Sequence, residues 1–374
     1  KDSKAPVGSL IGIYPIQGKG VVNGASHKKL LAIGNLKQPV HAWGEIYTGI
    51  SAKDYMDGTS NFYGVHSVTL YVDSVQVFNS TTDKVLPDEN RMINGFTDYE
   101  ELTRTRRLIM RSYKLPGNRL RLLHTNENRG VVTIDEERDY HFRYVLEDNF
   151  GNRRTYQFIV KGKRQDIPEY KPEANEMLYW NRTNVIQKPG MELVVPRYYV
   201  YEDVPLRTDM RGDSSHIAFD YILDAGRTPI HSYCDLSIGL RHMPVADTTK
   251  YYIVQKAGKW RSSMGGKYAN GWIKTRVRSL GTFSVDVDTI APQITPIGQG
   301  GWRTSRNIRF RIKDMESGIG SYKVYIDGKF VLFGLKKGIL VIQDPEKVKK
   351  GVPHKLEVTV TDQCGNMARK EYKF

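Results

Sequence analysis

Residues 312–329 read IKDMESGIGSYKVYIDGK, and residues 64–74 read GVHSVTLYVDS. The two align without a gap: Gly64 with Gly318, Ser67 with Ser321, Tyr71 with Tyr325 and Asp73 with Asp327. In the earlier phrase Val68, Leu70 and Val72 fall on one face and Ser67, Thr69 and Tyr71 on the other. A period of two is that of a half-buried strand. Each phrase then runs into Asp73-Ser74 or Asp327-Gly328, and Asp-Gly between apolar runs signals a two-residue hairpin turn.

The repeat extends beyond the phrase. Lys53-Asp54 precedes the first copy and Lys313-Asp314 the second. After each comes an alternating strand, with Phe142, Tyr144 and Leu146 in one and Leu356, Val358 and Val360 in the other. Each strand ends in DxxGN, at 148–152 and 362–366. A period-two pattern broken by turn residues, written twice, predicts a duplicated β-sandwich module. Thr97 and Glu100 match a capping box, which predicts one short helix, inside the first copy. The fold class expected is therefore all-β, with tandem Ig-like β-sandwich modules. Residues 1–164 form the first module with an N-terminal linking segment, 165–288 a middle module, and 289–374 a C-terminal Ig-like module repeating the first. The polar stretch 164–188 reads as a crossing segment, and the proline-bearing DTIAPQITP from Asp288 as a linker.

At 374 residues, two or three domains are expected. No run approaches eighteen apolar residues. The chain opens without a signal-peptide core, so a removed signal or a longer parent protein is expected. The net charge of +15 favours an anionic neighbourhood. Its densest basic cluster is Arg104, Arg106, Arg107, Arg111, Arg119 and Arg121, with Lys114, and it reads as a solvated basic surface. No nucleic-acid-binding motif accompanies it, so nucleic acid is not an expected partner. The two cysteines, Cys234 and Cys364, cannot make a disulfide framework. A single bridge and two buried thiols both remain open, and buried thiols are the preferred reading.

The serine nucleophile pattern GxSxG does not occur in the sequence. His216 and Asp220 make a bare HxxxD with no second histidine pair, which reads as a polar strand face. Cys234 lies near His231 and His242, but Asp235 points to the other side of a strand, so a core cysteine is expected. The acidic turns offer weak calcium candidates at Asp54, Asp57, Asp314 and Glu316, with Asp148 and Asp362 in the DxxGN turns. Calcium takes about six to eight oxygens and each loop supplies few, so turn capping is the competing reading. Trp180, Trp260, Trp272 and Trp302 leave a glycan-binding face open beside the core reading.

Several longer segments resemble one family. Residues 54–58 (DYMDG), 137–144 (ERDYHFRY), 189–196 (PGMELVVP) and 288–366 look like the region after the catalytic domain in lysostaphin/LytM-type zinc metallopeptidases of Bacteroidetes. Those enzymes cut peptidoglycan cross-links. The family's zinc motifs, a glycine-containing HxxxD and a later HxH, have no counterpart here, so no catalytic or zinc-binding residue is carried over. Whether the whole protein is an enzyme stays open. The resemblance implies the non-catalytic β-sandwich region of a murein metallopeptidase-like envelope protein, positioning or regulating a peptidase domain or docking partners. No cofactor is expected in this chain, and zinc only if an upstream peptidase domain exists. Implied partners are envelope or outer-membrane proteins, its own peptidase domain, and peptidoglycan or an anionic surface. The implied location is the periplasm or outer membrane of a Gram-negative bacterium. A structural subunit of an outer-membrane complex, without enzymatic activity, is the alternative.

Overall fold

The computed structural model describes residues 2–213 and 215–374; Lys1, where the expected first module begins, and Ser214 lie outside the described residues. The fold is all-β, built of tandem β-sandwich modules with a few short helices. By internal contacts the chain divides into two compact units. One takes the residues up to Asn184 with Val195–Leu206 and Ala225–Ser232; the other takes Val185–Val194, Arg207–Asp224 and Tyr233–Phe374.

In the first unit, a sheet runs in the order Lys29–Ala32, Val7–Val22, Val40–Tyr55, Arg153–Gly162, Asp139–Glu147, Ser67–Val72, Val75–Thr81 and Leu123–Thr125. Its neighbours are antiparallel except Val40–Tyr55 with Arg153–Gly162. Val68, Leu70, Phe142, Tyr144 and Leu146 enter one core, as their alternation requires. A side chain the size of Leu146 or Phe142 contributes roughly 1.5–3 kcal/mol when fully buried.

Further along the chain, Met191–Val195, Cys234–Gly239, Trp272–Val277 and Lys267–Ala269 follow one another in one sheet. Asp220–Asp224, Gly281–Val287, Tyr251–Ala257 and Trp260–Gly265 do so in another. The C-terminal copy has two four-stranded sheets. One orders Gln293–Ile297, Arg309–Lys313, Ile339–Ile342 and Phe333–Lys336; the other orders Lys329–Phe330, Ile319–Ile326, Lys355–Asp362 and Met367–Lys373. Trp302, Phe310, Leu356, Val358 and Val360 share the core of this copy.

The repeated phrase occupies the same place in both copies. Ser67–Val72 lies between Asp139–Glu147 and Val75–Thr81, with Leu70 opposite Tyr144 and Val68 opposite Leu146. Ile319–Ile326 lies between Lys355–Asp362 and Lys329–Phe330, with Val324 opposite Val358 and Tyr322 opposite Val360. The predicted two-residue turns are present: Val72 pairs with Val75, and Ile326 with Lys329. Both central residues are left-handed, at φ 48° and 71° for Asp73 and Ser74 and at 49° and 76° for Asp327 and Gly328. That pattern is the type I′ turn, whose twist matches the flanking strands.

Three expectations need correction. The helix spans Tyr99–Thr105, but its N-cap is Asp98, not Thr97. The Asp98 carboxylate accepts from Glu101 N at 3.1 Å, while Thr97 bridges to Met110 as extended chain. Single-turn helices also occur at Ile93–Phe96 and, in the C-terminal copy, at Trp302–Ser305. There Trp302 is drawn into the core by burial, and its Nε1 donates to the Ile297 carbonyl at 3.0 Å. Finally, the expected crossing segment already contains the strands Glu176–Leu178 and Asn184–Lys188.

Candidate metal centres

The duplicated module builds the same acidic turn twice. In the first copy, Asp148 Oδ1 accepts from Phe150 N at 2.8 Å and Asn152 N at 2.9 Å, and Oδ2 accepts from Asn152 Nδ2 at 2.7 Å. In the second, Asp362 Oδ1 accepts from Cys364 N and Asn366 N, both at 2.8 Å, and Oδ2 from Asn366 Nδ2 at 2.7 Å. Gly151 and Gly365 adopt φ of 85° and 81°, which a side chain would resist, so DxxGN needs its glycine. The asparagine then reaches a second stretch of chain. Asn152 Nδ2 donates to the Asp2 carbonyl at 3.2 Å, and Asn366 Nδ2 to the Asp288 carbonyl at 3.0 Å.

Asp2 and Asp288 are thereby equivalent, each opening a DxxAP segment at 2–6 and 288–292. Two triads result: Asp2, Asp54 and Asp148, and Asp288, Asp314 and Asp362, each offering carboxylate oxygens within 4.8 Å of one another. Of the four calcium candidates, Asp54 and Asp314 belong to these triads. Asp57 and Glu316 do not. Asp57 accepts from Ser3 Oγ and pairs with Lys4 at the surface, and Glu316 accepts from Tyr252 Oη at 3.3 Å. Sequence reading missed Asp2 and Asp288. The recurrence of DxxAP is the signal that would have found them.

The triads differ in how they are satisfied. In the second, Ser317 donates to Asp288 Oδ2 from both N, at 3.0 Å, and Oγ, at 2.5 Å. Lys250 Nζ donates to the carbonyl of Cys364 and to Asn366 Oδ1 in the adjoining turn. In the first, the position aligned with Ser317 is Tyr63, which is exposed. Asp2 Oδ2 and Asp54 Oδ1 are buried and have no hydrogen-bond partner among the described residues. Burial, then Asp148 and Asp2, raise the Asp54 pKa above the usual carboxylate range. Burial also acts on Asp148, but the Asn152 and backbone donors outweigh it and hold that pKa low. Asp362 is raised by burial despite the same donors.

Other expected sites disperse. His216 Nδ1 faces Asp213 at 3.0 Å, whereas Asp220 pairs with Lys256 at 2.6 Å, so HxxxD does not converge. His231 Nδ1 meets Tyr201 Oη at 3.0 Å. Cys234 and Cys364 are buried thiols outside any disulfide, and burial pushes them up to about 12 and about 11. Arg104, Arg106, Arg107, Arg119 and Arg121 are exposed. Arg104 and Arg107 pair with Glu101, and Arg121 with Glu89. Arg111 does not join that surface: its Nε is buried, beside a cavity of about 80 Å³ lined also by Asn94, Glu202 and Arg227. Trp260 is 81% exposed, Trp180 and Trp272 are half-buried, and Trp302 is core.

A family model described as a Zu5-like domain matches residues 175–288. No curated protein matches the chain. Among solved structures, a bacterial ice-binding adhesin is similar at 8% identity and TM-score 0.14, over 88% of this chain and 89% of that one. A Ca²⁺-stabilized adhesin of an Antarctic bacterium is similar at 11% identity and TM-score 0.16, over 96% and 99%. SGBP-B of a Bacteroides ovatus mixed-linkage glucan utilization locus is similar at 10% identity and TM-score 0.14, over 87% and 62%. Likeness at this level brings nothing of those proteins' ligands to this chain.

Proposed function

We propose that this chain is the non-catalytic β-sandwich region of a murein metallopeptidase-like protein of the bacterial cell envelope, positioning a peptidase domain or docking its partners. The observation that supports it is the duplicated module. Its recurring polar residues are engaged in tying turns to the chain that enters each copy, as Asn152 and Asn366 do. Such residues set the geometry of a spacer rather than line a reaction site. The metallopeptidase link rests on the quoted family segments, while the tandem sandwiches and the Zu5-like stretch at 175–288 support a non-catalytic interaction region. Its place would be extracytoplasmic, in the periplasm or on the outer membrane, facing envelope proteins or an anionic polymer. The alternative, a structural subunit of an outer-membrane complex, draws on the same architecture.

Intact mass and zinc content of the protein purified from its own cells separate the two. A mass well above 42.8 kDa with about one bound zinc is the expected result. A mass near 42.8 kDa without zinc would overturn the metallopeptidase link and leave the structural subunit.

A further inference from the structure

We propose that Asp2, Asp54 and Asp148 hold one divalent cation of the calcium type, which pins the segment entering the first module to that module's DxxGN turn. Three acidic residues in proximity would not suffice. What points to a ligand is that each residue of the triad brings a carboxylate oxygen within 4.8 Å of the others, while Asp2 Oδ2 and Asp54 Oδ1 are buried with no hydrogen-bond partner among the described residues, in residues only 6% and 8% exposed. An unpaired buried carboxylate oxygen is costly to leave unmade.

The second copy acts as an internal control. It has the same asparagine bridge and the same DxxGN turn, but Ser317 fills the position that the first copy leaves open. A serine donates hydrogen bonds to Asp288, whereas in the first copy the donors to Asp2 among the described residues are two backbone groups on Oδ1, Asp57 N and Lys4 N. Nature of the ion follows from the donors. All three ligands are carboxylates, with no imidazole or thiolate, so a hard cation is selected over zinc. Calcium–oxygen distances of about 2.3–2.6 Å place one ion between oxygens up to about 5 Å apart. The spread of 4.8 Å fits. Water completes the shell, and Asp148 keeps its turn hydrogen bonds while offering one carboxylate oxygen to the ion.

The test is calcium titration of the full chain, after chelator treatment and dialysis, by calorimetry and by thermal unfolding with calcium chloride. Binding in the range of extracellular calcium modules, about 10⁻⁴–10⁻³ M or tighter, is expected, with a rise in Tm. Asp54→Asn should weaken that binding at least tenfold. Asp2→Asn, outside any strand, should do so with little risk to folding, and Asp314→Asn in the second copy should leave it in place. An equimolar zinc challenge should not displace calcium. Three results would overturn the proposal: no heat and no Tm rise up to about 5 mM calcium, unchanged binding in both Asp54→Asn and Asp2→Asn, or loss of binding in Asp314→Asn alone.

Discussion

Raising the pH should loosen the C-terminal module through one side chain, His354. Its Nδ1 lies 2.6 Å from Asp327 Oδ2 and its Nε2 2.7 Å from the Lys349 carbonyl. Both partners are acceptors, and a neutral imidazole can donate from only one nitrogen. The ring must carry two protons to satisfy both. Burial opposes that charge, but the Lys349 carbonyl and Asp327 outweigh it, and the His354 pKa is raised. A folded pKa above the unfolded one contributes stability that is fully present below about 6.5 and is lost as pH rises through the folded value. Hydrogen bonds to a charged group are worth about 1.5–3 kcal/mol. Asp327 is half exposed, which discounts its share, so about 2 kcal/mol is expected in all. That corresponds to about 4–8 °C in the Tm of this unit. His354→Gln keeps one donor and no charge. Thermal unfolding of the full chain should show wild-type Tm falling from pH 6 to pH 9 by several degrees more than the variant's. Equal pH slopes for the two proteins would refute the reasoning. The first copy is a comparison, because Asp73 is met there by Arg138 at 2.7 Å, and an arginine does not titrate in this range.

Ser74→Gly should stabilise the first copy by about 0.5–1 kcal/mol, read as a raised urea midpoint, because Ser74 sits at φ 71° where the second copy places Gly328. Tyr144→Phe should cost about 1–3 kcal/mol in the same assay. It strands the buried hydroxyls of Thr48 and Ser112, each 2.7 Å from Tyr144 Oη. Cys234 and Cys364, buried and pushed up by that burial, should resist an alkylating reagent at pH 8 in the native protein. Both should react once it is unfolded, and mass spectrometry distinguishes the two states.

Much of this molecule was legible in the order of its residues. Alternation of Val68, Leu70 and Val72, and of Leu356, Val358 and Val360, determined strands and buried faces, because the side-chain period of a strand is two. Asp73-Ser74 and Asp327-Gly328 determined their turns, because few residues accept a left-handed backbone. The repeat of KD, strand, turn and DxxGN determined that one module occurs twice. Local signals failed where a long-range contact outweighed them. Thr97 matched a capping box, yet Asp98 holds the helix start because Thr97 is bound as extended chain to Met110. Arg111 belonged to a basic run, yet its neighbours in space bury its Nε. Only the tertiary structure decided that Asp2 meets Asp54 and Asp148, and that His354 stands between Asp327 and Lys349. Those meetings join residues far apart in the chain, and their chemistry depends on burial. A carboxylate in water is ordinary, whereas the same group enclosed without a partner calls for a proton or a metal ion.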